Sequence, residues 1–131
     1  GGASIIDDCY NANPGSVRAA IDLLAACPGQ RVLLLGAMRE LGPDSERLHS
    51  EMGAYAAECG LDGLWGVGPE LAPTVEVFGK GGRWFATLDE ARSAVAGAFA
   101  GDSTVLVKGS RGAQMEQLLP ALLGETESLP C

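Results

Sequence analysis

Three short stretches of this chain are apolar without a break: Val32-Leu33-Leu34-Leu35, Leu64-Trp65-Gly66-Val67 and Val105-Leu106-Val107. A strand with one face in water alternates apolar and polar residues, so an unbroken apolar run of strand length signals burial on both faces. Helices covering both sides of a parallel sheet create that condition. Each run is far too short for a membrane span, which needs roughly 18 to 20 residues. Residues 3–9 and 83–86 join the runs at 31–35, 63–67 and 104–107 as strand candidates.

Between these runs the apolar spacing changes to that of helices. Ser16 can cap a helix whose inward face is Val17, Ala20, Ile21, Leu24 and Ala25, stopped by Cys27-Pro28-Gly29. Asp44 or Ser45 opens the next, with Leu48, Met52, Tyr55 and Ala56 on one side and Gly60 at its end. A weaker helix over 69–78 is interrupted by Pro73, and Thr87-Leu88-Asp89-Glu90 has the spacing of a capping box. Residues 111–123 read as a final helix that Pro120 kinks or shortens. Alternating strands and helices imply an α/β domain of three layers, Rossmann-like, with a mostly parallel sheet covered by helices on both faces. The domain is expected to span 1–123, with 124–131 a frayed tail.

Composition narrows the function classes. The chain is 47% hydrophobic with a mean hydropathy of +0.14, so it can build a core. Nine basic against 17 acidic residues give a net charge of -8, which leaves little from which to build a nucleic-acid face. Cys9, Cys27, Cys59 and Cys131 lie far apart, and with His49 as the one histidine they form no zinc pattern; reduced thiols are expected. No basic stretch precedes an apolar one at the start, so a soluble, cytoplasmic protein without membrane contact is expected.

In such folds ligands bind where loops leave the carboxyl ends of the strands, here 10–15, 36–43, 68–70 and 108–112. The first follows Asp7 and Asp8 and carries Asn11 and Asn13. Acceptors and amides beside a helix N-terminus suit a ribose hydroxyl, a phosphate or a hydrated Mg2+, and equally suit simple turn formation. The second, 36–42, has glycines that allow close backbone approach but lacks the G-x-x-x-x-G-K-[ST] phosphate loop. His49 behind it reads as a surface or core-edge residue rather than a general base. In the third, Lys108, Ser110 and Arg111 can clamp a carboxylate or phosphate, or can be the solvated start of a helix. Residue chemistry alone thus reaches an anion-binding α/β domain.

The three loops together carry a resemblance. Asp8-Cys9-Tyr10-Asn11-Ala12-Asn13-Pro14-Gly15-Ser16 resembles a D-x-Y-N-A-N-P-x-S segment in the C-terminal domain of Mur ligases, in the branch that adds D-alanyl-D-alanine to a UDP-N-acetylmuramoyl-tripeptide. Gly36-Ala37-Met38-Arg39-Glu40-Leu41-Gly42 with Ser45, His49 and Gly53 resembles that branch's G-D-M-x-E-L-G-x-x-S-x-x-x-H-x-x-x-G. Val105-Leu106-Val107-Lys108-Gly109-Ser110-Arg111 with Met115-Glu116 is similar to its V-L-V-K-G-S-R and M-E. Order and spacing agree over about residues 3–123. Ala37 departs from the pattern, standing where the family has aspartate.

The resemblance implies an ATP-dependent, amide-bond-forming ligase of peptidoglycan synthesis. It also implies two further domains, an N-terminal one for the UDP-sugar and a central ATPase with a phosphate loop, neither of which this sequence contains. The Gly1-Gly2 start suggests a domain excised from such a chain and catalytically incomplete alone. ATP and Mg2+ are expected in the full-length enzyme, with none bound to this fragment. By position in the matched motifs, Asp8, Asn11 and Asn13 would face the nucleotide, Asn13 chiefly shaping the loop. Lys108, Ser110 and Arg111 would meet the carboxylate of D-alanyl-D-alanine or the acidic groups of the tripeptide. No residue is assigned as nucleophile, general base or metal ligand. Sister Mur-type ligases carry D-Y-A-H-T-P or D-x-A-H-N-P at the first loop and fit less well. A free-standing flavodoxin-like binding module is the other alternative; a receiver would need an aspartate ending a middle strand, and Gly36-Ala37 and Gly68-Pro69 supply none.

Overall fold

The structure, a computed structural model, describes residues 3–9 and 11–124. Gly1, Gly2, Tyr10 and residues 125–131 with Cys131, hence the expected tail beyond Gly124, lie outside the described residues. All five expected strands form: β1 (Ser4–Asp8), β2 (Gln30–Leu35), β3 (Gly63–Val67), β4 (Gly82–Phe85) and β5 (Ser103–Lys108). They pair in parallel in the order β1-β5-β2-β3-β4, so the last strand in sequence lies between the first two. Every residue of β5 is buried, as its unbroken apolar run requires.

Helices α1 (Pro14–Ala25), α2 (Ser45–Glu58) and α3 (Ala72–Phe78) cover one face. Val17, Ile21, Leu24, Met52 and Phe78 pack there against Leu33, Leu35, Leu64 and Leu106 of the sheet. The opposite face presents Val32, Leu34, Val67, Val105 and Val107 to α4 (Leu88–Val95), to Met115 and Leu118, and at the margin to α5 (Leu119–Leu123). Alternate residues of one strand thus point into two cores. Gly53 lets α2 and α3 touch, because a Cβ there would lie 2.1 Å from the Thr74 carbonyl oxygen.

Two helix boundaries differ from the sequence reading. The first helix begins at Pro14, because Asn13 rather than Ser16 is its cap. Asn13 Oδ1 accepts from the Ser16 amide at 2.9 Å and Ser16 Oγ accepts from the Asn13 amide at 3.0 Å. Proline suits the first turn, where its missing N–H has no helical partner anyway. The helix expected over 111–123 is broken into 3-10 turns, Arg111–Ala113 and Met115–Leu118, ahead of α5. Gln114 between them is left-handed, with φ 54°. That turn swings Met115 beneath Gly36 and Gly109, where a Cβ on either glycine would lie 2.7 Å from Met115 Cγ. Pro120 falls in the first turn of α5, so it kinks nothing. The Thr87 cap forms as its spacing implies, accepting from the Glu90 amide at 3.2 Å.

Candidate functional site

Strand order brings the three motif-bearing loops together. Since β5 lies between β1 and β2, the segments after β1, β5 and β2 emerge side by side at the sheet's carboxyl end. The register sets Asp8 beside Lys108 and Leu35 beside Lys108.

The exit of β5 is tied to both neighbours. Toward β1, the Lys108 ammonium donates to Asp8 Oδ2 at 2.9 Å and to the Asn11 carbonyl oxygen at 2.8 Å. The Lys108 side chain is only 3% exposed, whereas that of Asp8 is 42% exposed. One flank of Asp8 therefore neutralises a buried cation and the other faces solvent. Toward β2, the Gly36 amide donates to the Lys108 carbonyl at 2.8 Å, and the Ser110 amide donates to the Ala37 carbonyl at 2.9 Å. Ser110 is buried, and its hydroxyl is the only buried side-chain polar atom among the described residues without a hydrogen-bond partner. A buried hydroxyl left unpaired costs about 1 to 3 kcal/mol, so its persistence points to a ligand atom or to water.

Of the six residues singled out from the sequence, Asp8 and Lys108 thus form one ion pair, with Asn11 contributing its main chain. Asn13 uses its side-chain oxygen to cap α1. Arg111 lines a cleft of about 400 Å3 with Asp7, Asp8, Cys9 and Glu116. On the other side of the same turn, Gly112 and Ala113 help line a cleft of about 430 Å3 with Ala37, Arg39, Gly68, Glu70 and Thr87. The Arg39 guanidinium lies against Gly112, where a Cβ would be 1.9 Å from Nη2.

Cys9, just after β1, is a half-buried free thiol, as are Cys27 and Cys59 elsewhere. Burial, then the Asp7 carboxylate beside it, push the Cys9 thiol up, so it remains protonated and is no nucleophile. Among the described residues no group of three or more His, Cys, Asp or Glu side chains could hold a metal ion. No helix among them is long and apolar enough to cross a membrane.

The sequence reading placed His49 at a surface or core edge, and it is in fact fully buried. Its Nε2 accepts from the Met38 amide at 3.0 Å, while Nδ1 lies 2.8 Å from the Ser45 carbonyl oxygen. A lone histidine four residues after a serine gives no sign of this; the contact depends on how the 36–42 segment folds back over α2.

Known proteins share both sequence and fold. The family model described as Mur ligase, glutamate ligase domain, matches residues 1–111. The UDP-N-acetylmuramoyl-tripeptide–D-alanyl-D-alanine ligase of Escherichia coli (strain K12) is 40% identical over 120 residues, covering 90% of this chain and 26% of that protein. The ligase of the same name from Treponema pallidum is 38% identical over 125 residues, covering 90% and 27%. A solved MurF ligase from Thermotoga maritima in complex with ADP superposes with a TM-score of 0.80 at 29% identity, covering 97% of this chain and 29% of that one. A MurF structure from Acinetobacter baumannii gives 0.82 at 32% identity, covering 93% and 29%. The chain spans about a quarter of the length of these curated relatives. With motifs, fold and family model in agreement, the chain belongs to the Mur ligase family, as its C-terminal glutamate ligase domain.

Proposed function

We propose that this domain serves an ATP-dependent ligase that joins D-alanyl-D-alanine to UDP-N-acetylmuramoyl-tripeptide in cytoplasmic peptidoglycan synthesis, as part of a longer chain with UDP-sugar and ATPase domains. The observation that carries this reading is 40% identity over 120 residues to a ligase of that name. The convergence of all three matched loops at one end of the sheet supports it.

Asp8, Asn11 and Asn13 are assigned to the nucleotide side. The residues fit one wall of such a site: Asp8 keeps an exposed carboxylate flank, and the sequence holds no phosphate loop. ATP in the longer enzyme supplies the phosphoryl group that activates the tripeptide carboxylate. Mg2+ does not fit the described residues of this domain, which offer no cluster of ligands, and it is assigned to the ATPase domain. Lys108, Ser110 and Arg111 are assigned to the incoming dipeptide or the acidic groups of the tripeptide. Lys108 acts there through Asp8 and the Asn11 carbonyl, fixing the spacing of two loops. Ser110 offers an unpaired hydroxyl, and Arg111 a guanidinium whose fork matches a carboxylate. Docked against the ATPase domain, this wall excludes water from an activated acyl group.

A ligation assay tests the reading. The 131-residue chain alone should neither hydrolyse ATP nor form a peptide bond. Joined to the two further domains, it should consume D-alanyl-D-alanine in preference to single amino acids. Preference for a single amino acid would assign the domain to a sister ligase, and ATP turnover by the isolated chain would overturn the division of labour.

A further inference from the structure

Residues 36–41 belong to no helix or strand, yet they deliver a main-chain carbonyl to the turn after β5. The Ala37 carbonyl and the Met38 amide are the two ends of one planar peptide group. The carbonyl end accepts from the Ser110 amide at 2.9 Å, and the amide end donates to His49 Nε2 at 3.0 Å. A ring nitrogen that accepts from a backbone N–H carries a lone pair, so His49 Nε2 is unprotonated. Nδ1 lies 2.8 Å from the Ser45 carbonyl oxygen, which can only accept, so the proton sits on Nδ1. The ring is further held because the His49 carbonyl accepts from Thr74 Oγ1 at 2.8 Å, anchoring its helix to α3.

The Ser110 hydroxyl makes no bond, so it cannot orient the turn it sits on; backbone contacts must. We infer that His49, as a neutral imidazole protonated on Nδ1, is a positioning residue that clamps the Ala37–Met38 peptide plane and through it aims the Ser110 turn at the substrate. Polarisation along the line from Ser110 N–H through the peptide to the imidazole strengthens both bonds. This rests on the reading that the Ser110 turn meets the incoming dipeptide.

Two amide substitutions separate clamp from core filler. The amide of His49→Gln reaches the place of Nε2 and can accept from Met38; that of His49→Asn reaches only the place of Nδ1 and leaves Met38 unpaired. Both lose the ring, so both should lower Tm, His49→Asn further because it also leaves the Met38 amide unpaired. In the full-length ligase, His49→Gln should keep the KM for D-alanyl-D-alanine within about threefold, while His49→Asn raises it about tenfold, the worth of a lost buried hydrogen bond. Equal KM values for the two variants would overturn the inference. In the 131-residue chain, imidazole nitrogen NMR should find a bare Nε2 and a protonated Nδ1. The Ser110 amide resonance should move in His49→Asn and stay in His49→Gln. The opposite tautomer, or an unmoved Ser110 amide, overturns the clamp whatever the substrate proves to be. A full-length enzyme that ignores the dipeptide while the NMR result holds would sink the substrate reading alone.

Discussion

Arg31, at the amino end of β2, and Lys108, at the carboxyl end of β5, are each held by one carboxylate and by main-chain carbonyls. Arg31 donates to Asp62 from Nε at 3.2 Å and to the carbonyls of Ala25 and Gly60, and Asp62 also takes the Arg31 amide at 2.8 Å. Lys108 donates to Asp8 and to the Asn11 carbonyl. The chemistry is nearly the same, and the surroundings are not. Around Arg31 the buried polar side chains are answered; two residues beyond Lys108, the Ser110 hydroxyl is not. A cation paired with a carboxylate and with main-chain carbonyls therefore fastens either end of the sheet. The unpaired neutral hydroxyl is what distinguishes the carboxyl end from the amino end among the described residues.

Asp8→Ala should have the largest effect. It leaves an ammonium in a side chain only 3% exposed with the Asn11 carbonyl alone. The expected loss of unfolding free energy in urea is about 2 to 3 kcal/mol, below the range for fully buried pairs because Asp8 itself is partly in water. A loss too small to measure would mean that Lys108 reaches solvent and is no fastening. Arg31→Lys should cost less, about 1 kcal/mol, because charge survives while the fork that spans three partners does not. The amide resonances of 36–42 and 108–113 should stay in place. If they shift, the two ends of the sheet are coupled and the comparison breaks.

Ser110→Ala should leave stability within about 1 kcal/mol of the parent, on the favourable side, since it removes a buried group with no partner. In the full-length ligase it should nonetheless raise the KM for the dipeptide. Clear destabilisation would show that the hydroxyl already has a structural partner. The smallest effect concerns pH. The Arg31 amide, then the Arg31 side chain, hold the Asp62 carboxyl below its ordinary range. A carboxylate so lowered contributes stability above that range and loses it as pH falls through its folded value. Asp62→Asn should therefore flatten the acid limb of a Tm-against-pH curve slightly, the group being 43% exposed. An unchanged limb would leave Arg31 held by carbonyls alone.

The strands were legible because burial on both faces forces unbroken apolar runs, and β2, β3 and β5 show them. The Thr87 cap was legible because its signal is local. The Asn13 cap was misread by three residues, since Ser16 takes part in the same reciprocal box and both residues are good caps. Gln114 could not be read at all: its left-handed turn serves the fit of Met115 under Gly36 and Gly109, a contact made across the sheet. Asp8 and Lys108 were singled out as candidate site residues but assigned to different ligands. Their pairing depends on β1 lying beside β5, 100 residues apart in sequence, and local pattern carries no strand order. The motif match supplied the loop identities, and strand order then turned three separate strings into one surface.

The place of β5 also governs how the domain assembles. Among the described strands it is the fifth to leave the ribosome and the one that β1 pairs with. Within the described sheet, β1 therefore waits for this partner through about 5 to 20 seconds of synthesis at typical rates. Meanwhile β2, β3 and β4 can already zip together, because neighbours in sequence are neighbours in space there. Closing the long loop from β1 to β5 is the slow, entropically costly event, and it completes the sheet and gathers the motif loops in the same motion. A nascent chain halted before Ser103 would hold three of the described strands paired and the motif loops still apart.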